Sequence, residues 1–316
     1  MSSTVSWTRE FAMAEHSRET PSQDSSTVTL GSARWENIRR AAYRFRANPL
    51  AMIGLITLVV ILVIAIAAPL VVPFPEDAAG KVHPTARLRA PNEVNYFGTD
   101  NVGRDIFSRV LMGTGLALMV GVVIIFLATT IGVTIGALAG YFGGWTDEIL
   151  MRLTDIFLTV PALVLAIAVT AALGKGILNV MIGISLVWWP GFARMTRGLV
   201  LSLKEEPFVE AARGLGGGHL RVLFRHILPN ALSPIIVKMS TDFGFAVLTA
   251  AALGFIGLGA QPPMPEWGAM INEGRDYFPT QWWVATFPGM AIFLVVFSWN
   301  LLGDGLRDVL DPRSRR

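Results

Sequence analysis

The chain has 316 residues, of which 53% are hydrophobic and only 16% are charged, whereas about a quarter of the residues of an average soluble protein are charged. This composition favours an integral membrane protein. The formal net charge is +3, but it comes from arginines grouped beside apolar segments and does not indicate nucleic-acid binding. The chain contains no cysteine, which excludes disulfide bonds and thiol chemistry.

Residues 1–46 precede the first apolar segment. The first 30 are rich in Ser, Thr and Glu, so we predict an N-terminal extension that is largely disordered. Residues 35–46 interleave apolar and basic side chains and could form an amphipathic helix on the membrane surface.

Six apolar segments follow, each without charged residues over most of its length, and we predict that each crosses the membrane as a helix. A crossing of about 30 Å of hydrocarbon needs roughly 20 residues. The third and fourth segments are the shortest, and the third contains Pro161, so their ends are the least defined. The segments are residues 50–72, 110–145, 156–173, 177–193, 239–259 and 282–302.

Arginine and lysine set the orientation, because they concentrate on the cytoplasmic side of membrane proteins. They cluster before the first span, in the loop of residues 194–230 and after the last span. Both termini are therefore predicted to be cytoplasmic. Residues 47–109 then hold the first helix and an extracytoplasmic segment, residues 110–312 the other five helices, and residues 313–316 a short tail.

The long cytoplasmic loop contains a polar and basic stretch, EAARGLGGGHLRVLFRHILPN, at residues 210–230. The small side chains of Ala211 and Ala212 would let another surface come close, and Glu210 could pair with an arginine. Glycines 216–218 can turn the chain between two short helices, and Pro229 suits a break before the fifth span. The alternative to a functional contact is that this stretch forms an ordinary amphipathic helix.

This stretch resembles the EAA coupling loop of the membrane subunits of ABC importers. From residue 47 to 312 the chain resembles the C-type permease subunit of bacterial dipeptide and oligopeptide ABC importers. Gly254 stands where many relatives have serine, which favours the dipeptide type, and Ala250 where many oligopeptide-type relatives have glutamate. The segments that carry the resemblance are FGTDNVGRDIFSRV (97–110), GYFGGWTDEILMRLTDIF (140–157), RHILPN (225–230), GFIGLGAQPPMPEWGAM (254–270) and NLLGDGLRDVLDP (300–312).

The resemblance implies an all-α, six-span permease of the type I ABC importer fold in the bacterial cytoplasmic (inner) membrane. Its expected partners are a homologous second permease subunit, two ATPase subunits, an extracytoplasmic solute-binding protein, the lipid membrane and a dipeptide or short oligopeptide as substrate. The paired loops would carry ATP-driven motion into the membrane. The coupling residues implied are Glu210, Ala211, Ala212, Gly216, His226, Leu228, Pro229 and Asn230.

No catalytic role is expected for the chain itself. Gly-Lys occurs at residues 80–81 and 174–175. Neither pair has a glycine five positions before its own glycine, which a phosphate-binding loop requires. ATP and Mg²⁺ would therefore bind to partner subunits, and no cofactor is expected here. The four histidines include no close-spaced pair of ligands, so no metal site is predicted.

Three further features have both a functional and a structural interpretation. Asp100, Arg104 and Asp105 could lie near the docking site of a binding protein or simply hold a turn. Asp242 could line the pathway and meet a peptide's amino group, or it could be neutralised by Lys238 four residues earlier. Glycines 132, 136 and 140 could pack helices within this chain or against the partner permease.

Other functions remain open at this level. The same scaffold serves importers of nickel, glutathione and other small solutes. A receptor or scaffold that senses a binding protein without transporting solute is disfavoured, because such a protein would not need a coupling loop that binds an ATPase. A secondary transporter would be expected to show paired intramembrane carboxylates, and the sequence offers one.

Overall fold

The computed structural model describes residue 39 and residues 42–310, and of these, residues 43–310 belong to one compact unit. The disorder predicted for residues 1–46 concerns a region that lies outside the described residues, except for Arg39 and residues 42–46, which are helical. The amphipathic surface helix predicted at residues 35–46 is described only at these same positions.

The described part of the chain is helical and contains no β-strand, which confirms the predicted all-α membrane fold. The helices are α1 (Pro49–Val71), α2 (Pro75–Ala78), α3 (Ile106–Phe142), α4 (Gly144–Thr159), α5 (Ala162–Leu173), α6 (Ile177–Leu203), α7 (Pro207–Gly214), α8 (His219–Val222), α9 (Leu228–Phe255), α10 (Trp267–Gly274) and α11 (Trp283–Leu310). A π-helical segment, Leu223–Ile227, joins α8 to α9, and short 3-10 helices lie at Pro84–Ala86 and Arg275–Tyr277.

Five helices of the described region are long and apolar enough to cross a membrane, and the pair α4 and α5 makes a sixth crossing if it counts as one. The sixth is not the single helix predicted over residues 156–173. The chain breaks at Val160 and Pro161, and the two helices meet at 92°. Proline disfavours the helical conformation of the residue before it, and Val160 is extended with ψ of 136°.

Close packing between α3 and α6 forms the centre of the unit. The Cβ of an alanine at Gly132 would lie 2.4 Å from the carbonyl oxygen of Trp189, and one at Gly136 would lie 2.2 Å from that of Ala193. Gly140 meets the next turn of α6 in the same way. The glycine stripe therefore packs within this chain, which was one of its two predicted roles.

The first and last long helices pack on each other through small residues as well. A Cβ at Gly54 would lie 2.7 Å from the Cβ of Leu301, and one at Gly305 would lie 2.4 Å from that of Ala51. The opposite side of α1 leaves large apolar side chains exposed, with Leu70 at 89% and Ile66 at 79%. Such exposure is expected of a helix whose outer side faces lipid.

Candidate functional site

The polar loop between α6 and α9 folds as two short helices, α7 and α8, separated by glycines 216–218. α6 continues to Leu203, about ten residues beyond the predicted end of the fourth span, so the first part of the predicted loop is still helix. Pro207 starts α7 at a position where its missing N–H leaves no hydrogen bond unmade.

The inner side of the loop is fixed to the rest of the protein by apolar packing. Val209 of α7 and Val222 of α8 are fully buried. They share a cluster with Ala137 and Tyr141 of α3, Val200 of α6, and Leu223 and Ile227. Burying a valine side chain contributes about 1.5 to 3 kcal/mol, so the loop is held against the ends of α3 and α6.

Gly216 ends α7 in a Schellman motif. Its N–H donates to the carbonyl oxygen of Arg213 at 2.9 Å, and the N–H of Gly217 donates to that of Ala212 at 3.0 Å. Gly216 has a φ of +81°, a left-handed conformation that glycine adopts without strain. The glycine turn predicted between the loop helices is therefore a specific backbone cap.

Tyr141, which no pattern in the sequence singled out, connects both loop helices to α3. Its hydroxyl lies 3.1 Å from Nδ1 of His219 in α8, and the guanidinium carbon of Arg213 in α7 lies 5.4 Å from its ring centroid. The signal available in the sequence was its position in the segment GYFGG, within the family resemblance.

The outer side of the loop is an exposed surface of apolar and charged groups, which we call the loop surface. Glu210 and Ala211 are exposed, and the side chain of Glu210 makes no hydrogen bond or ion pair with any described residue. Leu215 is 90% exposed. Large apolar side chains grouped at a polar loop indicate a site of contact with another molecule. The other large apolar side chains exposed on the loop surface are Phe208, Leu220 and Phe224.

The break predicted before the fifth span at Pro229 is wrong, because the helix continues unbroken from His219 to Phe255. The proline is accommodated by the π-helical segment just before it, where the N–H of Leu228 donates to the carbonyl oxygen of Leu223, five residues back. His226 is partly exposed, and its carbonyl oxygen accepts from Nδ2 of Asn230 at 2.6 Å. Leu228 packs against the buried cluster.

Asp100 and Arg104 lie on the far side of the membrane helices in a buried ionic cluster. Oδ2 of Asp100 lies 2.6 Å from Nε of Arg104 and 2.5 Å from a terminal nitrogen of Arg109. Oε2 of Glu273 lies 2.8 Å from Arg104 and 3.1 Å from Arg109. Two carboxylates therefore face two guanidinium groups, a balanced arrangement that a buried ionic cluster requires.

Asp105 caps α3 and is also buried. It accepts from the N–H of Ser108 at 2.7 Å and from Nδ2 of Asn95 at 2.9 Å, and its own N–H donates to Asp77 at 2.7 Å. The side chains of Asp100, Arg104 and Asp105 are thus enclosed, which corresponds to the structural interpretation of this segment. Docking of a binding protein here stays a prediction, and it would have to use the surface that these residues support.

Asp242 lies on α9 beside Lys238, with 2.9 Å between Oδ2 and Nζ and both side chains partly buried. Nζ of Lys238 also lies 5.0 Å from the ring centroid of Phe192. This is the mutual neutralisation given above as the structural interpretation of the pair. Lys238 lines a groove of about 460 Å³ between the ends of α6, α9 and α11, together with Thr241, Asp304 and Arg307.

Glu266, a second residue missed in the sequence, caps α10 from the segment after α9. Its carboxylate accepts from the N–H groups of Gly268 at 2.7 Å and Ala269 at 2.8 Å. Burial raises the pKa of the carboxyl to about 6, although the two backbone donors lower it. A Cβ at Gly254 would lie 2.1 Å from Oε2, so this glycine provides the space for the buried carboxyl.

Metal binding finds no support in the described region, where no group of three or more His, Cys, Asp or Glu could hold an ion. His219 instead pairs with Tyr141.

Comparison with known families gives two matches. Residues 132–316 match the family described as binding-protein-dependent transport system inner membrane component. Residues 36–91 match the N-terminal transmembrane domain of oligopeptide transport permease C.

Among curated proteins, the chain is similar to the dipeptide transport system permease protein DppC of Alkalihalophilus pseudofirmus, with 45% identity over 88% of this chain and 90% of the relative. It is 47% identical to the glutathione transport system permease protein GsiD of Pectobacterium atrosepticum, over 82% and 86% of the two chains. It is 41% identical to the probable D,D-dipeptide transport system permease protein DdpC of Escherichia coli, over 93% and 97%.

A solved structure of the MetNI methionine ABC transporter in inward-facing conformations has the same fold. The TM-score is 0.51 with 17% identity, over 65% of this chain and 97% of the other. At this identity the likeness concerns the fold alone.

Proposed function

The chain belongs to the family of binding-protein-dependent transport system inner membrane components, and from this we propose that it forms half of the membrane pathway of an ATP-driven peptide importer. A homologous permease subunit would supply the other half. Two ATPase subunits would bind ATP and Mg²⁺, and an extracytoplasmic solute-binding protein would deliver the substrate. Both chain termini would lie in the cytoplasm, on the side of the loop surface.

The observation that carries the proposal is the loop surface. It presents Glu210, Leu215 and their neighbours outward, while Val209 and Val222 hold it from within. A surface that is exposed on its outer side and fixed to the rest of the protein on its inner side suits a contact that must transmit force. We assign this contact to the ATPase subunits. The EAA residues then have separate tasks: Glu210 and Ala211 meet the partner, while Ala212 and Gly216 shape the cap.

The continuous helix from His219 to Phe255 suggests how motion would reach the pathway. It has 37 residues, so at 1.5 Å per residue it extends about 55 Å. A helix without a break at Pro229 would carry a displacement of the loop along its whole length. In this mechanism ATP binding draws the paired loops together and opens the pathway outward, and hydrolysis restores the inward-open state.

The groove beside Lys238 is the part of the pathway that we propose this chain contributes. It offers the cations Lys238 and Arg307 and the anion Asp304, a combination suited to a zwitterionic peptide. Asp242 would act by holding Lys238 in place. Unimpaired uptake by an Asp242→Asn variant would exclude this role.

The substrate class rests on the relatives. Two of the three described above are named as dipeptide permeases, which supports dipeptides or short oligopeptides. The similarity to GsiD supports glutathione, itself a tripeptide, as the second candidate. Nickel import lacks a comparable observation here.

The decisive experiment reconstitutes the complete complex in liposomes and measures ATP-dependent uptake of a labelled dipeptide. Glu210→Ala should weaken co-purification of the ATPases and reduce uptake, because it alters the contact surface. Glu205→Ala is the matched control, since Glu205 is exposed in the same loop but precedes α7.

The outcomes separate the parts of the proposal. Full ATPase binding and uptake in Glu210→Ala would contradict coupling through this surface. Competition by glutathione but not by dipeptides would leave the importer in place and transfer the substrate to the second candidate.

A further inference from the structure

The helix α4 (Gly144–Thr159) has three different sides. One side packs on the protein and includes the fully buried Thr154 and the partly buried Asp147. A second side is apolar and exposed, with Trp145 at 81%, Ile149 at 60% and Ile156 at 65%. At 100° per residue these three side chains lie within about 40° of one another around the helix axis.

The third side of α4 is polar and exposed. Arg152 pairs with Glu148 at 3.2 Å, and Asp155 pairs with Arg194 of α6 at 2.6 Å. A helix in water would have no reason to segregate an exposed apolar side from an exposed polar side. The division indicates an environment that is itself apolar on one side and aqueous on the other.

Two ion pairs set the direction of α4 across α6. Asp147 pairs with Arg197, with 2.5 Å between Oδ1 and Nε, and Asp155 pairs with Arg194. The two aspartates are about 12 Å apart along α4, whereas the two arginines are about 4.5 Å apart along α6. α4 is therefore inclined to α6 and does not run alongside it, and the chain turns by 92° between α4 and α5.

The same pairs set the depth of α4. α6 begins at Ile177, so Arg194 and Arg197 lie about 26 and 30 Å along its axis. This distance matches the roughly 30 Å thickness of the hydrocarbon core. The start of α6 is at the opposite end from the loop surface, where the N–H of Gly176 donates to Leu258 at 3.0 Å. α4 thus lies at the level where the membrane ends, on the side of the loop surface.

The apolar side of α4 continues into the lipid-facing surface of α5. Val160 is exposed between the two helices, and Leu163 and Val164 are exposed on α5. α5 has 12 residues, about 18 Å, which is too short to cross the hydrocarbon core alone. The part of the hydrocarbon core that α5 does not span is accounted for if α4 lies at the membrane boundary.

We propose that α4 is an interfacial helix that lies along the cytoplasmic leaflet, with phospholipid covering Trp145, Ile149, Leu153 and Ile156. Arg152, at the border of the apolar side, faces the lipid phosphates. Asp147 and Asp155 connect this lipid-bound helix to α6. The subunit is thereby held laterally by the membrane directly beside the loop surface, because α4 follows the end of α3 that carries Tyr141.

The test uses single cysteines, which the chain allows because it contains none of its own. Cysteines replace Ile149, Ile156 or Glu148 in the complete complex, each carrying a nitroxide spin label, in phospholipid nanodiscs. Collision rates are measured with oxygen, which concentrates in lipid, and with a water-soluble nickel chelate. The control is Thr154→Cys, which the packing predicts to be hidden from both.

We expect the oxygen-to-nickel ratio at positions 149 and 156 to exceed that at 148 severalfold. Equal ratios at the three positions would show that α4 lies in water and would overturn the proposal. Low collision rates with both reagents at 149 and 156 would also overturn it, because another subunit would then cover the apolar side. A label at 148 buried in lipid would contradict the assigned orientation.

Discussion

Replacing Gly216 tests whether the backbone cap of α7 sets the shape of the loop surface. At a φ of +81°, with no atom within 4 Å of an added Cβ, Gly216→Ala introduces strain without a steric clash. A non-glycine residue in the left-handed region costs roughly 1 to 2 kcal/mol. This corresponds to a factor of about 5 to 30 in the population of the native turn.

The assay is the amount of substrate imported per ATP hydrolysed by the reconstituted complex, together with co-purification of the ATPases. Gly216→Ala should lower both, since Leu215 and Glu210 would leave their positions in part of the molecules. Gly216→Asn should recover much of the loss, because asparagine tolerates the left-handed conformation better than alanine.

Gly214→Ala is the matched control two residues away. Gly214 is the last residue of α7 and also has no atom within 4 Å of an added Cβ, so alanine there should be neutral or stabilising by up to about 1 kcal/mol. The reasoning is refuted if Gly216→Ala behaves as wild type, or if asparagine at 216 is as harmful as alanine.

Three further variants test the supporting structure. Asp100→Asn should destabilise the protein by about 3 to 5 kcal/mol, because it leaves Arg109 partly unpaired in a buried site; thermal unfolding of the purified complex would reveal this, and an unchanged midpoint would contradict the ionic cluster. Gly136→Val should prevent α3 from packing on α6 at Ala193 and abolish assembly, as measured by yield of the complex, whereas normal assembly would show that the helices can separate. Because the pKa of Glu266 is raised from 4.5 to about 6, the stability that it contributes is present below pH 4.5 and is lost as the pH rises through 6, by about 2 kcal/mol in total. Thermal unfolding at pH 5 and 7.5 should show about 1.2 kcal/mol of this loss in wild type and none of it in Glu266→Gln, and equal pH dependence in both would be contrary evidence.

Local signals in the sequence were sufficient for the membrane class and for most of the helices. An uncharged apolar run of about 20 residues indicates a membrane span, because it is long enough to cross the hydrocarbon core and avoids the cost of placing a charge there. The polar stretch at residues 210–230 and its glycines likewise predicted the loop and its turn, because a positive φ requires little more than the glycine itself.

The three-dimensional contacts decided what the local signals left open. Pro161 and Pro229 are both prolines near helix ends, yet the first breaks its span at 92° and the second lies within a continuous helix. The difference depends on the π-helical segment before Pro229, which no short-range pattern in the sequence predicted.

Side-chain roles depended still more on tertiary structure. From the sequence, Asp100 and Arg104 could lie near a docking site or hold a local turn, but Arg104 pairs with Glu273, 169 residues later in the chain. The need for glycine at position 254 is explained only by the carboxyl of Glu266, which fills the space where a side chain would lie. The length of a hydrophobic run and the positive φ of a turn glycine depend on a few neighbouring residues, whereas burial and charge pairing depend on whichever distant segment the fold brings into contact.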